Sequence, residues 1–227
     1  MGLKESGLRG SLRNVSVGID AIPDSVVAQF DATEEPSTGS ITSITDLVGD
    51  FDLSGDANVI SSGIDGKQTF RFDGTVNMSQ STNVSSNEPF GFVGVVQFQG
   101  DTSTSDFPSL IDGGSNNELN VSISQNEFVL ARGGSNSFVG GDPTNNPVVM
   151  SLIGESESSV RLRINGADVN SSEEDAADLT GITLASSGDD SSFSEIDIGE
   201  IVVLSAFDDP DLDEEEQRLA DKWGITL

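Results

Sequence analysis

The segment "SEIDIGEIVV" near the C-terminus places three carboxylates, Glu195, Asp197 and Glu200, in the spacing E-x-D-x-x-E. Acidic side chains this close can hydrolyse a glycosidic bond, with Glu195 as nucleophile, Asp197 as assisting carboxylate and Glu200 as acid/base. A retaining reaction needs its nucleophile and acid about 5–5.5 Å apart. Residues 195 and 200 face opposite sides of a regular strand, so this chemistry requires a bulge, which Gly199 permits.

The composition excludes most other kinds of catalysis. The chain has no Cys and no His, which removes thiolate chemistry, disulfides, the commonest general base and the commonest transition-metal ligand. Any catalysis would therefore depend on carboxylates, Ser/Thr, three Lys or a bound hard cation. No apolar run approaches the ~20 residues that span a bilayer, so no membrane insertion is expected. The start, "MGLKESGLRG", lacks the apolar region of a signal peptide.

The charge is strongly acidic and unevenly distributed. The 227 residues carry 39 acidic and 10 basic groups, a net charge of −29. Such a chain repels itself in dilute buffer, whereas the Debye length shrinks to about 3 Å at 1 M salt, so the composition favours a halophilic source. Residues 1–19 are the exception: Lys4, Arg9 and Arg13 oppose one Glu, a net +2. We interpret residues 1–24 as a basic attachment arm, with a solvated terminus as the alternative. The acidic remainder repels phosphate, so no nucleic-acid partner is expected.

Short alternating segments separated by turn residues predict an antiparallel β-sandwich. The segments are VVAQFDA, QTFRFDG, PFGFVGVVQFQ, ELNVSIS, EFVLAR, VVMSLIGE, VRLRING, GITLAS and EIDIGEIVVLSAF. In QTFRFDG, Phe70 and Phe72 should face inward and Arg71 outward. Turns are expected at residues 125–126 and 165–166, and residues 33–56 are expected to form a polar surface loop with one short strand at most.

One helix is predicted at the C-terminus, in "DLDEEEQRLADKWGITL". Asp213 can cap it, with Glu216 completing a capping-box-like pair. Leu219 and Trp223 lie four residues apart on one face and should pack on the sandwich, and Gly224 supplies the stop.

The order of these segments resembles a known family. "VVAQFDATEE", "GIDGKQTFRFDGT", "PFGFVGVVQF", "VRLRINGADV" and "IGEIVVLSAFDDPDLDEEEQRLADKWGI" resemble laminin-G-like, concanavalin A-like jelly-roll domains of prokaryotic and viral surface proteins. The resemblance covers residues 25–227 and implies a two-sheet jelly roll with a short C-terminal helix and an extended N-terminal arm. "GLRGSLRNVSVGIDAIPDSVV" also resembles the start of head- or tail-associated structural proteins of tailed viruses that infect haloarchaea.

The same resemblance bears on the E-x-D-x-x-E motif. Jelly-roll hydrolases related to laminarinases carry this spacing mid-chain, whereas here it lies in the last strand, where laminin-G-like modules often have a non-catalytic strand. A sugar cleft also usually offers aromatic platforms, and this chain has no Tyr and one Trp. We therefore predict no enzymatic activity, with a glycoside hydrolase using these three carboxylates as the less favoured alternative.

Two further groups of residues are weaker site candidates. Arg132, Arg161 and Arg163 are rare positive charges that either contact an acidic glycan or form salt bridges with neighbouring carboxylates. Acidic loops offer oxygen ligands for a structural Ca²⁺ or Mg²⁺, without EF-hand spacing. These loop residues are Asp112, Asn116, Asn117, Glu118, Asp189 and Asp190. No other cofactor is expected.

The resemblance implies a non-enzymatic virion surface protein: a capsid turret, decoration or fibre module attached by its N-terminal arm. Its expected partners are other capsid or tail proteins, further copies of itself in a homo-oligomer, and a host cell-surface glycan or glycoprotein. Such a protein would assemble in the host cytoplasm and act on the particle surface. The alternative is a carbohydrate-binding adhesin of a halophilic cell surface.

Overall fold

The structure, a computed structural model, describes residues 24–84, 88–101, 109–113, 119–132, 135–140, 146–156, 159–172, 179–187 and 192–227. Within these residues the chain forms fifteen β-strands and one α-helix. The strands are β1 (Val26–Asp31), β2 (Gly39–Ile44), β3 (Leu53–Ile60), β4 (Thr69–Asp73), β5 (Met78–Gln80), β6 (Phe90–Phe98), β7 (Ser109–Asp112), β8 (Asn120–Ser124), β9 (Glu127–Arg132), β10 (Ser135–Gly140), β11 (Val148–Ser156), β12 (Ser159–Ile164), β13 (Ala167–Ser172), β14 (Ile182–Leu184) and β15 (Glu195–Ser205). The helix is α1 (Asp209–Trp223).

Hydrogen bonding joins these strands into one continuous antiparallel sheet. Its order is β10-β9-β8-β7-β14-β5-β3-β4-β15-β6-β11-β12-β13, with β1 paired to β15 and β2 paired to β3. The sheet curls so that its end strands β10 and β13 approach each other. The two halves of the curled sheet enclose the main apolar core. The predicted all-β sandwich with one C-terminal helix is therefore confirmed, and residues 1–23 of the predicted arm, 1–24, lie outside the described residues.

The alternating segments face the core as their period predicts. Phe70 and Phe72 of β4 are buried in the main core, and Arg71 points to the other face of the sheet. β6 is buried along nearly its whole length because one face meets the core and the other meets α1. The predicted turns at residues 125–126 and 165–166 join β8 to β9 and β12 to β13, and all four residues have positive φ.

The prediction of a surface loop over residues 33–56 was wrong. The segment contains β2 and the first part of β3, which pair with each other in antiparallel register. Ile44, Leu53 and Ala57 face the main core, while most of the intervening Ser, Thr and Asp side chains face solvent and Asp46 is buried. Too few apolar residues lie in the segment to give a recognisable alternation, and it is a strand pair because its neighbours β4 and β5 supply the hydrogen-bonding partners.

Helix α1 begins earlier than the sequence suggested. Asp208, not Asp213, is the N-cap: its side chain accepts a hydrogen bond from the backbone N–H of Asp211, whose own side chain accepts from the N–H of Asp208. Pro210 occupies the first turn, where its missing N–H has no cost. The predicted end is confirmed, since Gly224 adopts the left-handed conformation with φ of 67°. Among the described residues, no helix has the length and apolar character needed to cross a membrane.

A second apolar cluster holds α1 against the outer face of the sheet. As predicted, Leu219 and Trp223 are fully buried. The cluster combines helix residues with the outward side chains of β1, β6, β11 and β15, and its buried members are Val26, Ile64, Val93, Val95, Val149, Ile153, Val202, Leu204, Phe207, Leu212, Leu219, Ala220 and Trp223. The helix therefore covers one end of this face and does not extend over the other end, toward the start of β15.

A compact loop closes part of the free edge of β1. The Asp46 carboxylate accepts hydrogen bonds from the backbone N–H groups of Gln29, Val48 and Phe51, and the N–H of Leu47 donates to the Gln29 carbonyl. Gly49 is required here, because a Cβ would lie 2.7 Å from both the Asp46 carboxylate and a β1 carbonyl. The loop thereby provides hydrogen-bond partners for the backbone N–H and C=O of Gln29, which do not bond to β15.

Candidate functional site

A bulge in β15 brings all three motif carboxylates to the outer face of the sheet. Ile196 and Ile198 face the main core, which directs Glu195 and Asp197 outward. The register with β6 shifts between Ile198 and Glu200, so Glu200 also points outward. Gly199 lies at this shift beneath Trp223, where a Cβ would approach the indole ring to 2.7 Å. The geometric condition that the sequence set for catalysis, a bulge at Gly199, is therefore present.

Helix α1 nevertheless separates the three carboxylates into different environments. Glu200 lies beneath the helix and is 0% exposed. One carboxylate oxygen accepts from Arg218 at 2.6 Å and from the Gln29 amide at 2.7 Å. The other accepts from the Lys222 ammonium at 2.6 Å and from the indole N–H of Trp223 at 3.4 Å. Every direction around this carboxylate is occupied by a donor from the protein itself.

The cations around Glu200 are themselves paired with further acids. Arg218 also binds Glu215 of the same helix at 2.5 Å, and Lys222 also contacts Asp31 of β1. Lys222 and Lys67 both lie over the Trp223 ring, at 5.8 and 5.9 Å from its centroid. Two of the three lysines of the chain are therefore placed at the C-terminal end of α1.

The charges in this cluster keep Glu200 ionised. Burial by itself would raise the pKa of Glu200, but the attraction and hydrogen bonds of Arg218 and Lys222 outweigh burial and lower it below the ordinary value. Burial likewise opposes the charge on Lys222, yet Glu200 and Asp31 hold its pKa above the usual value. A general acid needs a raised pKa and access to substrate, and Glu200 has neither.

The other two motif carboxylates lie beyond the end of the helix. Asp197 is 1% exposed and receives both a Nε and a terminal nitrogen of Arg71, at 2.7 and 2.5 Å. The Gln99 amide donates to the same carboxylate at 3.1 Å. Glu195 is exposed and pairs in register with Asp73 of β4, and glycines, Gly74 and Gly100, follow the adjacent ends of β4 and β6.

The outer-face arginines Arg161 and Arg163 of β12 bind carboxylates of α1 and its surroundings. Arg161 pairs with Glu155 at 2.7 Å and with Asp209 at 2.6 Å. Arg163 pairs with Asp213 at 2.9 Å and Glu216 at 3.3 Å. These ion pairs correspond to the salt-bridge alternative for Arg161 and Arg163. Glycan contact by these two arginines stays a prediction, and a glycan would have to compete with the paired carboxylates.

A buried acid on α1 completes this second ionic cluster. Glu216 accepts a hydrogen bond from Ser151 of β11 at 2.5 Å. Burial raises the pKa of Glu216, and the hydrogen bond from Ser151 and the charge of Arg163 only partly oppose that shift. The helix is thus held by ionic contacts along both of its sides, with Glu200 on one side and Glu216 on the other.

The remaining predicted site residues fall largely outside the described part of the chain. Lys4, Arg9 and Arg13 of the arm lie there, as do the loop residues 116–118, 189 and 190. Arg132 ends β9, and its side chain is not among those described. Asp112 is fully buried and accepts a hydrogen bond from Asn120 at 3.2 Å. Nowhere in the described ranges do three acidic side chains converge as ligands for a metal ion.

The sequence interpretation missed the partners that fix these charges. Gln29 lies at an outward position of β1 and donates to Glu200. Gln99 lies immediately after β6 and donates to Asp197. Period-2 alternation could have placed Gln29 on the outer face with the motif. It could not have paired Arg71 with Asp197, because 126 residues separate them.

The architecture defines a class of protein, the jelly-roll β-sandwich, which solved structures of other proteins share. No protein-family model matches the sequence, and no curated protein matches it either. The similar structures therefore show the fold alone, at identities of 15% and below.

Three of these structures illustrate the class. One is a botulinum neurotoxin type C that depends on interaction with two ganglioside molecules to enter cells, with a TM-score of 0.63 and 15% identity over 87% of this chain and 52% of that chain. Another is the binding domain of botulinum neurotoxin DC in complex with rat synaptotagmin II, with a TM-score of 0.63 and 14% identity over 91% and 56%. The third is Trypanosoma rangeli sialidase in complex with sialic acid, with a TM-score of 0.66 and 12% identity over 92% and 35%. This chain spans about half the length of the neurotoxin chains and about a third of the sialidase.

Proposed function

We propose that this chain is a non-enzymatic jelly-roll module that contacts glycans at a cell surface. The observation that carries the non-enzymatic part is the enclosure of Glu200 beneath α1. Its carboxylate is fully buried, ionised and bound by Arg218 and Lys222, so it cannot donate a proton to a glycosidic oxygen of a bound sugar. The three motif carboxylates then act as structural anchors and surface groups.

Recognition of glycans is supported by the fold and by its uses in other proteins. One similar neurotoxin depends on ganglioside molecules for cell entry, and the sialidase was solved with sialic acid. A rigid sandwich with one helix-covered face and an uncovered polar end is suited to present surface side chains to a partner without reorganising its core.

In its biological setting we place the module on a virion, attached through residues 1–24 as a turret, decoration or fibre. The arm carries Lys4, Arg9 and Arg13 on a chain of net charge −29, which is complementary to another acidic surface. Repeated display of one module on a particle would also raise a weak affinity for a glycan through multivalency.

Two experiments test the two parts of the proposal. The full chain at molar salt is incubated with β-glucans and other polysaccharides, and both reducing-sugar release and binding to immobilised glycans are measured. Binding without release is expected. Release by the wild type that disappears in Glu195→Gln would establish a hydrolase, and absence of binding to every glycan would remove the recognition role.

The virion setting is tested separately by mass spectrometry of purified particles. The chain should be present, and deletion of residues 1–24 should abolish its incorporation while leaving the sandwich folded. If the chain is missing from particles but present on the cell surface, the adhesin alternative replaces the virion setting. If the deletion leaves incorporation unchanged, the arm is not the attachment element.

A further inference from the structure

The uncovered end of the outer sheet face carries a row of polar side chains across five adjacent strands. Strand pairing aligns Ser40 of β2 with Asn58 of β3, Asn58 with Arg71 of β4, Arg71 with Asp197 of β15, and Asp197 with Gln97 of β6. We call these five residues the polar row. At about 4.8 Å between strands, the row extends roughly 19 Å.

All five side chains of the row lie on the same face. Their neighbours along each strand, including Ala57 and Val59, Phe70 and Phe72, Ile196 and Ile198, and Val96 and Phe98, face the main core. Ser40 is exposed, and Asn58, Arg71 and Gln97 are partly exposed, so four of the five side chains can be reached from solvent, whereas Asp197 is buried. The side chain of Arg71 retains 43% exposure although it binds Asp197.

The surroundings of the row give it the form of an open shelf. On one side the end of α1 rises above it, because Trp223 packs on Gly199, two residues from Asp197. On the other side stands the exposed Glu195, flanked by Gly74 and Gly100. The shelf therefore has the end of α1 along one side and the exposed carboxylates Glu195 and Asp73 along the other.

Several groups of the row are fixed by hydrogen bonds before any ligand arrives. The Ser40 hydroxyl donates to the Asn58 side-chain oxygen at 3.0 Å, and the guanidinium and carboxylate of Arg71 and Asp197 bind each other through two contacts. Planar amides and a bidentate ion pair held in place lose little conformational entropy when they bind a partner.

The charge of the shelf selects against acidic ligands. Arg71 and Asp197 cancel, which leaves the row neutral, and the nearby Glu195 and Asp73 add negative charge at its side. An anionic ligand would meet these two carboxylates on a chain whose net charge is −29. A protein partner is also disfavoured, because the row offers no aromatic or aliphatic anchor of the kind that dominates protein interfaces.

We propose that the polar row with Glu195 is the binding site for a neutral, extended glycan, whose hydroxyl groups pair with the amides, the guanidinium and the Glu195 carboxylate, while the buried Asp197 holds Arg71 in place. The inference rests on the proposed function and adds to it the location of the site and the class of sugar. Because each hydrogen bond to the glycan replaces one to water, a single chain binds weakly and copies act together.

The test measures binding of multivalent glycans to the full chain at molar salt. The probes are immobilised neutral gluco-, galacto- and manno-oligosaccharides and galacturonic acid oligosaccharides of equal length. Asn58→Ala and Gln97→Ala should each weaken binding of the preferred neutral glycan about fivefold. Ser54→Ala, an exposed position on the same strand as Asn58 but outside the row, should leave the affinity within about twofold. Unchanged Trp223 fluorescence shows that each variant is folded.

The outcomes separate this inference from the proposed function. Weakening by both row variants and not by the control, with neutral glycans preferred, supports the site. Equal binding by all variants places the site elsewhere while the recognition role stands, and a preference for galacturonic acid overturns the neutral class. Binding to a glycoprotein that survives its enzymatic deglycosylation identifies a protein partner and overturns the inference. If the wild type binds no probe, the proposed function fails together with it.

Discussion

Replacing Glu200 by Gln should destabilise the protein far more than replacing Glu195 by Gln, although the two residues belong to one motif. The Glu200 carboxylate receives four donors, from Gln29, Arg218, Lys222 and Trp223. A glutamine amide of the same shape keeps one acceptor oxygen. Its NH₂ group is itself a donor, so it would face two of these four donors where the carboxylate had an acceptor oxygen. Glu195 is exposed and forms no such contacts with the described residues.

The magnitude follows from what remains after the substitution. Removing one partner of a buried ion pair costs about 3–5 kcal/mol. Arg218 keeps Glu215 and Lys222 keeps Asp31, so the lower end of that range, about 3 kcal/mol, is expected. For a domain of this size the melting temperature should fall by about 6–12 °C. Glu195→Gln should cost no more than about 0.5 kcal/mol, or about 2 °C.

The measurement is thermal unfolding followed by the emission of Trp223, the single Trp, in about 2 M salt, where repulsion is screened. Its indole donates to Glu200, so the signal reports the junction under study. Melting of Glu200→Gln together with the wild type would refute the idea that this carboxylate holds α1 on the sheet. Equal losses in the two variants would show that the contrast between buried and exposed carboxylates is not what determines the stability.

Three further changes test the same architecture. Acidification should destabilise the wild type as the pH falls below about 4.5, because the pKa of Glu200 is lowered in the folded state and its stabilisation is lost as the pH passes down through that lower value. Urea titrations of Glu200→Gln at a series of pH values should lack this loss of stability. The raised pKa of Glu216 makes a contribution of the opposite sign in both proteins. Gly199→Ala should place a methyl group against the Trp223 ring, cost about 1–3 kcal/mol and shift the emission to the red, and an unchanged spectrum would contradict this packing. The melting temperature should rise steeply between about 0.1 and 2 M salt, and a flat response would contradict the halophilic interpretation of the net charge.

The parts of the fold that local patterns encode could be predicted, and those that depend on distant pairing could not. Alternation around Phe70 and Phe72 gave β4, and the residue pairs 125–126 and 165–166 gave two hairpin turns, because each signal lies within a few residues. β2 and β3 were missed because their sequences are rich in Ser, Gly and Asp, and only the neighbouring strands make them part of the sheet.

Acidic composition also obscured local signals. Four aspartates lie between residues 208 and 213, and each can cap a helix by residue type. The prediction of Asp213 is wrong because Pro210 favours the earlier start at Asp208. For the candidate site, the sequence indicated correctly that a bulge at Gly199 would bring the motif to one face. It could not indicate that α1 would cover Glu200 and leave Glu195 uncovered, since that depends on where the helix lies across the sheet.

The Asp46 loop has a consequence for life at high ionic strength. Proteins in dilute buffer stay apart partly because like charges repel, but that protection vanishes when concentrated ions shorten the reach of the field to a few ångströms. Unpaired strand backbone then becomes a hazard, since it can add a strand from a neighbouring molecule. By satisfying the outward N–H and C=O of Gln29 through geometry, the loop provides a safeguard that salt cannot remove. Dispersal of the molecule in concentrated salt therefore does not depend on charge repulsion at this edge.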